Sequence, residues 1–176
     1  MEQSTKALKE SEKLAIELMT KHKLIDKYWT FKFSNTKRIL GQCDTTRKDI
    51  LLSHSFVMLN WENNRERVRL TILHEIAHAI TFHVFGRRVK SHGKEWKLIC
   101  AQIGGEPTAR CSSDKVTTVQ GKYHYKCPKC GKDTYKHKRL RVEHACGNCC
   151  RKYNNGKFSK QFVLEFVEAR ELIPSF

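Results

Sequence analysis

Two cysteine pairs, Cys127-Pro-Lys-Cys130 and Cys146-Gly-Asn-Cys149, constrain this chain more than any other feature. Fifteen residues separate them. Each CxxC turns tightly enough to aim two sulfurs at one point, and two such knuckles at this spacing make a four-thiolate zinc site. Four thiolates close the coordination shell, so this zinc would be structural and hold no water. The basic segment between the pairs is expected to form a hairpin. Cys150 adjoins the second pair and could replace Cys149, at the cost of a CxxxC spacing; Cys149 is favoured. His137 and His144 are weaker alternatives. Cys43, Cys100 and Cys111 fall outside the pattern and read as structural or incidental.

The surroundings of the pairs are basic. Between Gly121 and Lys160 the only acids are Asp133 and Glu143, and the whole chain carries a formal charge of +16. Such a charge points to an acidic polymer, nucleic acid before membrane. The residues expected to meet it are Lys122, Tyr125, Lys129, Lys136, Lys138, Arg139, Arg141, Arg151 and Lys152. Lysine and arginine neutralise phosphates, while Tyr125 and the interleaved Tyr123, Tyr135 and Tyr153 offer faces on which unpaired bases stack. The mixture favours single-stranded or distorted DNA with low sequence specificity. The competing reading is a solvated basic face with core tyrosines. The composition changes near Cys111, so a first domain is expected over residues 1–110 and a basic ribbon with a C-terminal tail over 111–176.

Met1 to Lys13 has no apolar stretch of the kind a signal peptide needs, and no apolar run is long enough to span a bilayer. An intracellular protein is expected, in cytoplasm and nucleoid or in a nucleus, with no membrane partner and as a monomer. In a reducing compartment eight cysteines suggest metal ligands before disulfides.

The first domain reads as α+β. Ala7, Leu8, Leu14, Ala15, Leu18 and Met19 recur at helical spacing between Thr5 and Lys23. Tyr28 to Ser34 alternates as a half-buried strand, Arg38 to Cys43 returns as a second strand broken at Gly41, and Ile50 to Leu52 makes a third. Ser53 could cap a short helix, and Asn63-Asn64 opens another. In that second helix Val68, Leu70, Ile72, Leu73, Ile76, Ala77, Ile80 and Val84 are too dense for a surface helix, which predicts burial. Gly93 to Ile103 forms a further helix, closed by Gly104-Gly105. The tail Phe162 to Glu168 fits a strand by alternation and a helix by spacing.

On the dense helix lies His74-Glu75-Ile76-Ala77-His78. Histidines four apart share one side of a helix, one turn apart, so both imidazoles can reach one Zn²⁺. A catalytic zinc needs a third protein ligand and an open position for water. His83 is rotated away from the pair. His92 follows Gly86 and a short basic loop, so the chain can turn back and present it; His54 and Glu95 are the alternatives. Zinc would lower the pKa of bound water and polarise a peptide carbonyl, and Glu75 would act as general base, later passing the proton to the leaving amine. No oxyanion-stabilising residue can be named.

These residues resemble the SprT-like metalloproteases, the group that includes the Spartan protease domain. The likeness lies in Phe31-Lys-Phe-Ser-Asn-Thr-Lys-Arg-Ile-Leu-Gly-Gln-Cys43, Ile50-Leu-Leu-Ser53, Thr71-Ile-Leu-His-Glu-Ile-Ala-His-Ala79 and His92-Gly-Lys-Glu-Trp96, in that order, followed by a zinc ribbon. The resemblance implies that His74, His78 and His92 bind a catalytic zinc, that Glu75 is the base, and that DNA stimulates cleavage of proteins bound or crosslinked to DNA. It departs at the end of the chain, where no long recruitment tail follows the ribbon. Two other readings compete: an idle peptidase fold retained as a nucleic-acid-binding zinc protein, and an HExxH protease that cuts one regulator.

Overall fold

The computed structural model describes residues 2–109 and 116–170, residues 2–4 by backbone alone. Cys111 lies outside the described residues. Helices combine with two small sheets, the α+β class expected from the sequence. The chain divides into two compact units, residues 1–119 and 120–175. Among the described residues no helix is long and apolar enough to cross a membrane.

The first unit begins with helix α1, Glu2–Lys21. Ala7, Ser11, Ala15 and Met19 recur every four residues and all are buried, which makes one stripe for the core. Ser11 is tolerated there because its hydroxyl donates to the Leu8 carbonyl at 2.9 Å. Glu10, off that stripe, accepts from the indole N–H of Trp61 at 3.0 Å and pairs with Arg65.

Three strands follow: β1, Thr30–Ser34; β2, Gly41–Asp44; β3, Asp49–Ser53. β3 is central, parallel to β1 and antiparallel to β2, and its Ile50 and Leu52 are fully buried. β2 is therefore an edge strand. Two boundaries differ from expectation. β1 starts at Thr30 because Tyr28 turns left-handed, φ 63°, to end a short 3₁₀ turn over Ile25–Lys27. β2 starts at Gly41 because the preceding residues are tied across the end of β3: Ser53 donates its N–H to Leu40 O at 2.8 Å and its hydroxyl to Thr36 O at 2.6 Å.

Ser53 also caps helix α2, His54–Phe85, accepting from Phe56 N–H at 3.3 Å. The 32 residues of α2 are the two expected helices, which meet across a kink at Asn64 (φ −152°, ψ 48°). Asn63-Asn64 thus opens the second helix, as its sequence predicts, and the two halves follow on at an angle. Val68, Ile72, Leu73, Ile76 and Ala77 are buried, as their density predicts, whereas Leu70 and Ile80 are half-buried and Val84, near the end of the helix, is exposed. Helix α3, Lys94–Gln102, packs on the far half of α2 through Trp96, Ile99 and Cys100. Residues 116–119 stay with this unit, beyond the compositional change at residue 110, because the buried Asn60 amide grips them. Its Nδ2 donates to Thr117 O at 2.8 Å and its Oδ1 accepts from Thr117 N–H at 2.9 Å.

The second unit holds β4, Tyr123–Lys126; β5, Asp133–Lys136; helix α4, Gly147–Tyr153; and β6, Glu165–Ala169. The sheet order is β5-β4-β6, all antiparallel. The hairpin expected between the cysteine pairs instead brackets the first pair. Cys127 N–H donates to Lys132 O at 3.1 Å and Gly131 N–H to Cys127 O at 2.9 Å, so the knuckle itself is the turn joining β4 to β5. Gly131 sits at φ +67°, which glycine adopts without a Cβ clash. The ambiguous tail resolves as strand β6, paired with β4.

Candidate metal centres

His74 and His78 project from one side of α2, and His92 comes from the turn that leads into α3. The Nε2 atom of His92 lies 3.1 Å from that of His74 and 3.1 Å from that of His78. Two bonds of about 2.05 Å at a tetrahedral angle separate their nitrogens by about 3.3 Å, so these rings converge as ligands of one small ion would. Among the described residues, only this trio and a four-cysteine group gather three or more such donors. Burial, with His92 beside it, holds the His74 imidazole down to about 4, and burial with both neighbours holds His78 down to about 3. Burial also lowers His92. All three rings are thus neutral near pH 7, the form that ligates a metal.

Trp96 is the floor of this trio. Its ring is fully buried and lies with its centroid 4.6 Å from His74, 5.2 Å from His78 and 4.7 Å from His92. It fixes three rotamers at once, a role its place among the apolar residues of the α3 pattern did not disclose. The spacing of His92 and Trp96, four apart across a helix start, was the available signal.

The alternatives for the third ligand lie elsewhere. His54 opens α2, about 30 Å along the helix from His74. His83 accepts a hydrogen bond from Trp29 Nε1 at 2.7 Å. Glu95 faces Lys94 at 4.0 Å and is not in the trio.

Glu75 is buried, on the side of α2 that faces β2. Burial pushes its carboxyl up to about 8, opposed by the backbone N–H of Cys43, which donates to it. A cleft of about 420 Å³ joins this carboxyl to the trio and is lined by Gly41, Cys43, Thr45, His74, Glu75 and His92, among others. Gly41 has a steric reason to be glycine. A Cβ there would stand 2.9 Å from Glu75 Oε1 and 3.0 Å from Thr71 Cγ2. Gly41→Ala is therefore expected to displace the Glu75 carboxyl while leaving the histidines in place. Zinc content should be unchanged, and any rate that depends on Glu75 should fall at least tenfold; zinc analysis beside a cleavage assay checks both.

In the second unit Cys127 Sγ lies 3.8 Å from Cys149 Sγ, and Cys130 Sγ 3.8 Å from Cys146 Sγ. Four sulfurs at about 2.3 Å from a tetrahedral zinc are about 3.8 Å apart, whereas a disulfide needs about 2.05 Å. The four donors fit zinc and not two disulfides. Backbone N–H groups of Cys149 and Asn148, together with the neighbouring thiols, outweigh burial and hold the Cys146 thiol down to about 7. Cys150 is outside the group; it is buried one step further along α4 and packs with Phe162. His137 and His144 are not in the group either.

The expected nucleic-acid contacts are distributed unevenly. Tyr125 is only 4% exposed, and its hydroxyl accepts from Leu140 N–H at 2.9 Å. It stands on the central strand of the ribbon sheet and has no free face for a base. Tyr153 is 51% exposed, with Lys129 and Lys152 over its ring at 5.5 and 5.1 Å. Arg139 covers the exposed Phe166 at 5.1 Å. Lys138, Arg141 and Arg151 are exposed, while Lys122 and Lys136 are half-buried.

The family model described as the SprT-like family matches residues 12–118. The curated protein named Protein SprT from Pseudomonas putida (strain W619) is 38% identical over 68 residues, which is 38% of this chain and 42% of that protein. Protein SprT from Pseudomonas fluorescens (strain SBW25) matches with the same identity and coverage, and that from Pseudomonas entomophila (strain L48) is 37% identical over 68 residues. The matched stretch is thus less than half the length of these relatives. No solved structure matches the chain.

Proposed function

The chain belongs to the SprT-like family, a metalloprotease-related group, and from that premise we propose that it is a zinc endopeptidase acting on proteins bound or crosslinked to DNA. The observation that carries the reading is the convergence of the His74 and His78 Nε2 atoms on that of His92, each at 3.1 Å, beside the Glu75 carboxyl in one cleft. His74, His78 and His92 would hold the ion, and Cys127, Cys130, Cys146 and Cys149 a second, structural one. Bound Zn²⁺ supplies a Lewis acid that acidifies water and polarises a peptide carbonyl.

The chain's own residues do the rest. A dication held by the histidines would favour the ionised form of the Glu75 carboxyl, which burial alone raises to about 8, so that Glu75 takes a proton at its carboxylate and returns it to the departing amine. The Cys43 N–H stabilises the charged form of that carboxylate. β2 is an edge strand beside Glu75, so an extended peptide can pair with its backbone and lie across the cleft. Backbone pairing reads no side chain, which accords with low sequence specificity. Folded proteins offer few such extended segments, and the ribbon supplies the missing selectivity by holding DNA through Lys129, Tyr153 and Lys152 and the arginines around them.

The test is cleavage of a basic protein by the full, zinc-loaded chain with and without single-stranded DNA. Cleavage that rises at least tenfold with DNA is the expected result. Equal cleavage of one defined target without DNA would replace this reading with a protease of a specific regulator. No cleavage in either arm would leave an idle peptidase fold.

A further inference from the structure

The first unit carries a basic cluster that neither the cleft nor the ribbon uses. It gathers at the C-terminal end of α2 from three parts of the chain. Lys48, in the turn between β2 and β3, donates from Nζ to Lys27 O at 3.1 Å and stands 5.8 Å from the Tyr28 ring centroid. Trp29 Nε1 donates to His83 Nε2 at 2.7 Å, which leaves the outer Nδ1–H of His83 as a donor. Burial, with Lys27 and Lys48 beside it, lowers the pKa of His83. Arg87 crosses Phe82 at 5.7 Å and reaches Thr46 Oγ1 at 3.4 Å. Arg88 follows, exposed.

Two features separate this cluster from an ordinary solvated face. Tyr28 is 83% exposed, the most exposed of the large apolar and aromatic side chains described. It is also one of two neighbouring non-glycine residues in left-handed backbone, with φ 63° beside 58° at Lys48. At Tyr28 that conformation closes the 3₁₀ turn over Ile25–Lys27 and at Lys48 the turn before β3, and together they set the two residues side by side. Cations at a helix C-terminus are common because they complement its dipole. That explains Arg87 and Arg88, but not the two lysines and the tyrosine brought to them from other elements. The nearby carboxylates are mostly engaged by other cations: Asp44 lies 4.0 Å from Arg47 and Asp49 2.8 Å from Lys32, while Asp26 is the sole acid between Leu24 and Thr30.

We propose that Lys27, Tyr28, Lys48, His83, Arg87 and Arg88 form a contact for single-stranded nucleic acid on the first unit itself, distinct from the ribbon. Separated cations suit successive phosphates, and an exposed aromatic face flanked by one of them suits an unpaired base. A membrane surface could use the same cations and ring. The closeness of the cluster to a cleft on a chain of formal charge +16 favours the nucleic acid, and the vesicle arm of the experiment tests the other. The cluster adjoins the cleft through Thr45, which lines it, and Thr46, which Arg87 touches. His83 is five residues beyond His78, about 8 Å along the helix. A strand seated here would run past the mouth of the cleft. The inference does not depend on catalysis.

The experiment measures binding of a fluorescein-labelled oligothymidylate to the full chain by anisotropy, across a salt series, in a Glu75→Gln background that cannot digest itself. Removing three phosphate contacts in Lys27→Gln/Lys48→Gln/Arg87→Gln should make the slope of log affinity on log salt shallower by about 2. Tyr28→Gly keeps the left-handed backbone without strain, removes the ring, and should weaken binding about fivefold or more. In a ribbon variant, Lys129→Gln/Lys152→Gln/Tyr153→Ala, residual binding should remain and should disappear when the cluster is also changed. Unchanged slope and affinity in folded, zinc-replete cluster variants would overturn the proposal, as would loss of binding to phosphatidylserine vesicles with oligonucleotide binding intact. Failure of the ribbon variant alone to weaken binding would count against the ribbon's role and leave the cluster standing.

Discussion

Glu75→Gln is expected to lower cleavage by about 10²–10⁴-fold while zinc content and DNA binding stay at the parent level. The substitution keeps the shape of the side chain, and with it the contacts to Gly41 and the Cys43 N–H, but removes the group that can accept a proton. The readout is the single-turnover rate with zinc measured on the same sample. A variant that cuts as fast as the parent would remove Glu75 from the mechanism, and one that loses zinc would show the change to be structural.

The same substitution has an opposite effect on stability, with a sign fixed by burial. The Glu75 carboxyl is pushed from 4.5 up to about 8. In metal-free protein between those values the folded chain keeps a proton that the unfolded chain has released. The stability from this group is complete below about 4.5 and is lost as pH rises through about 8. His74 and His78 run the other way: their pKa values fall from 6.5 to about 4 and about 3, so their contribution is present above 6.5 and is lost as pH falls. Near pH 9 the folded metal-free parent therefore carries a buried carboxylate with one backbone donor named. Glu75→Gln should be the more stable protein there, by a few kcal/mol in urea unfolding. The residue that enables the chemistry is one that the bare fold would be better without.

What could be read from the sequence follows from which constraints are local. Helical period alone turns the spacing of His74 and His78 into geometry, and the density of Val68 to Ile80 turns α2 into a buried element. His92 needed the turn after Gly86 and the Trp96 floor, both set by how α3 packs on α2. Cys149 and Cys150 differ by one position, and local spacing favours the first without excluding the second. The gathering of four sulfurs within 4.8 Å of one another, Cys149 among them and Cys150 not, separates the two, and that depends on where β4 and α4 bring two distant knuckles. Tyr125 and Tyr153 look alike in a basic run. One stands on a central strand and the other on the exposed side of α4, so sheet order, invisible to composition, separates them. The left-handed Tyr28 had the same cause: alternation marked it as strand, while the 3₁₀ turn before it set its backbone.

Cys127→Ser, or chelation of the ribbon's metal, is expected to unfold the second unit outright. Among the described residues of that unit the buried large apolar side chains other than cysteine are Tyr125 and Phe162. Each contributes about 2–3 kcal/mol by burial. Ordering one residue costs about 1–2 kcal/mol, so two such side chains cannot hold residues 120–170. Structural zinc contributes about 10–16 kcal/mol in small domains, enough to make the metal, rather than an apolar core, the centre of this fold. Serine would leave three thiolates and a hydroxyl that does not ionise near neutrality. The parent should therefore bind two zincs per chain and the variant one, retained by His74, His78 and His92. Amide exchange should lose protection across β4, β5 and β6 and keep it in α2, because the Asn60 amide ends the first unit's hold on the chain at residues 116–119. Cleavage without DNA should persist, and its stimulation by DNA through the ribbon should vanish. Two zincs and an unchanged exchange pattern in Cys127→Ser would refute the four-thiolate site.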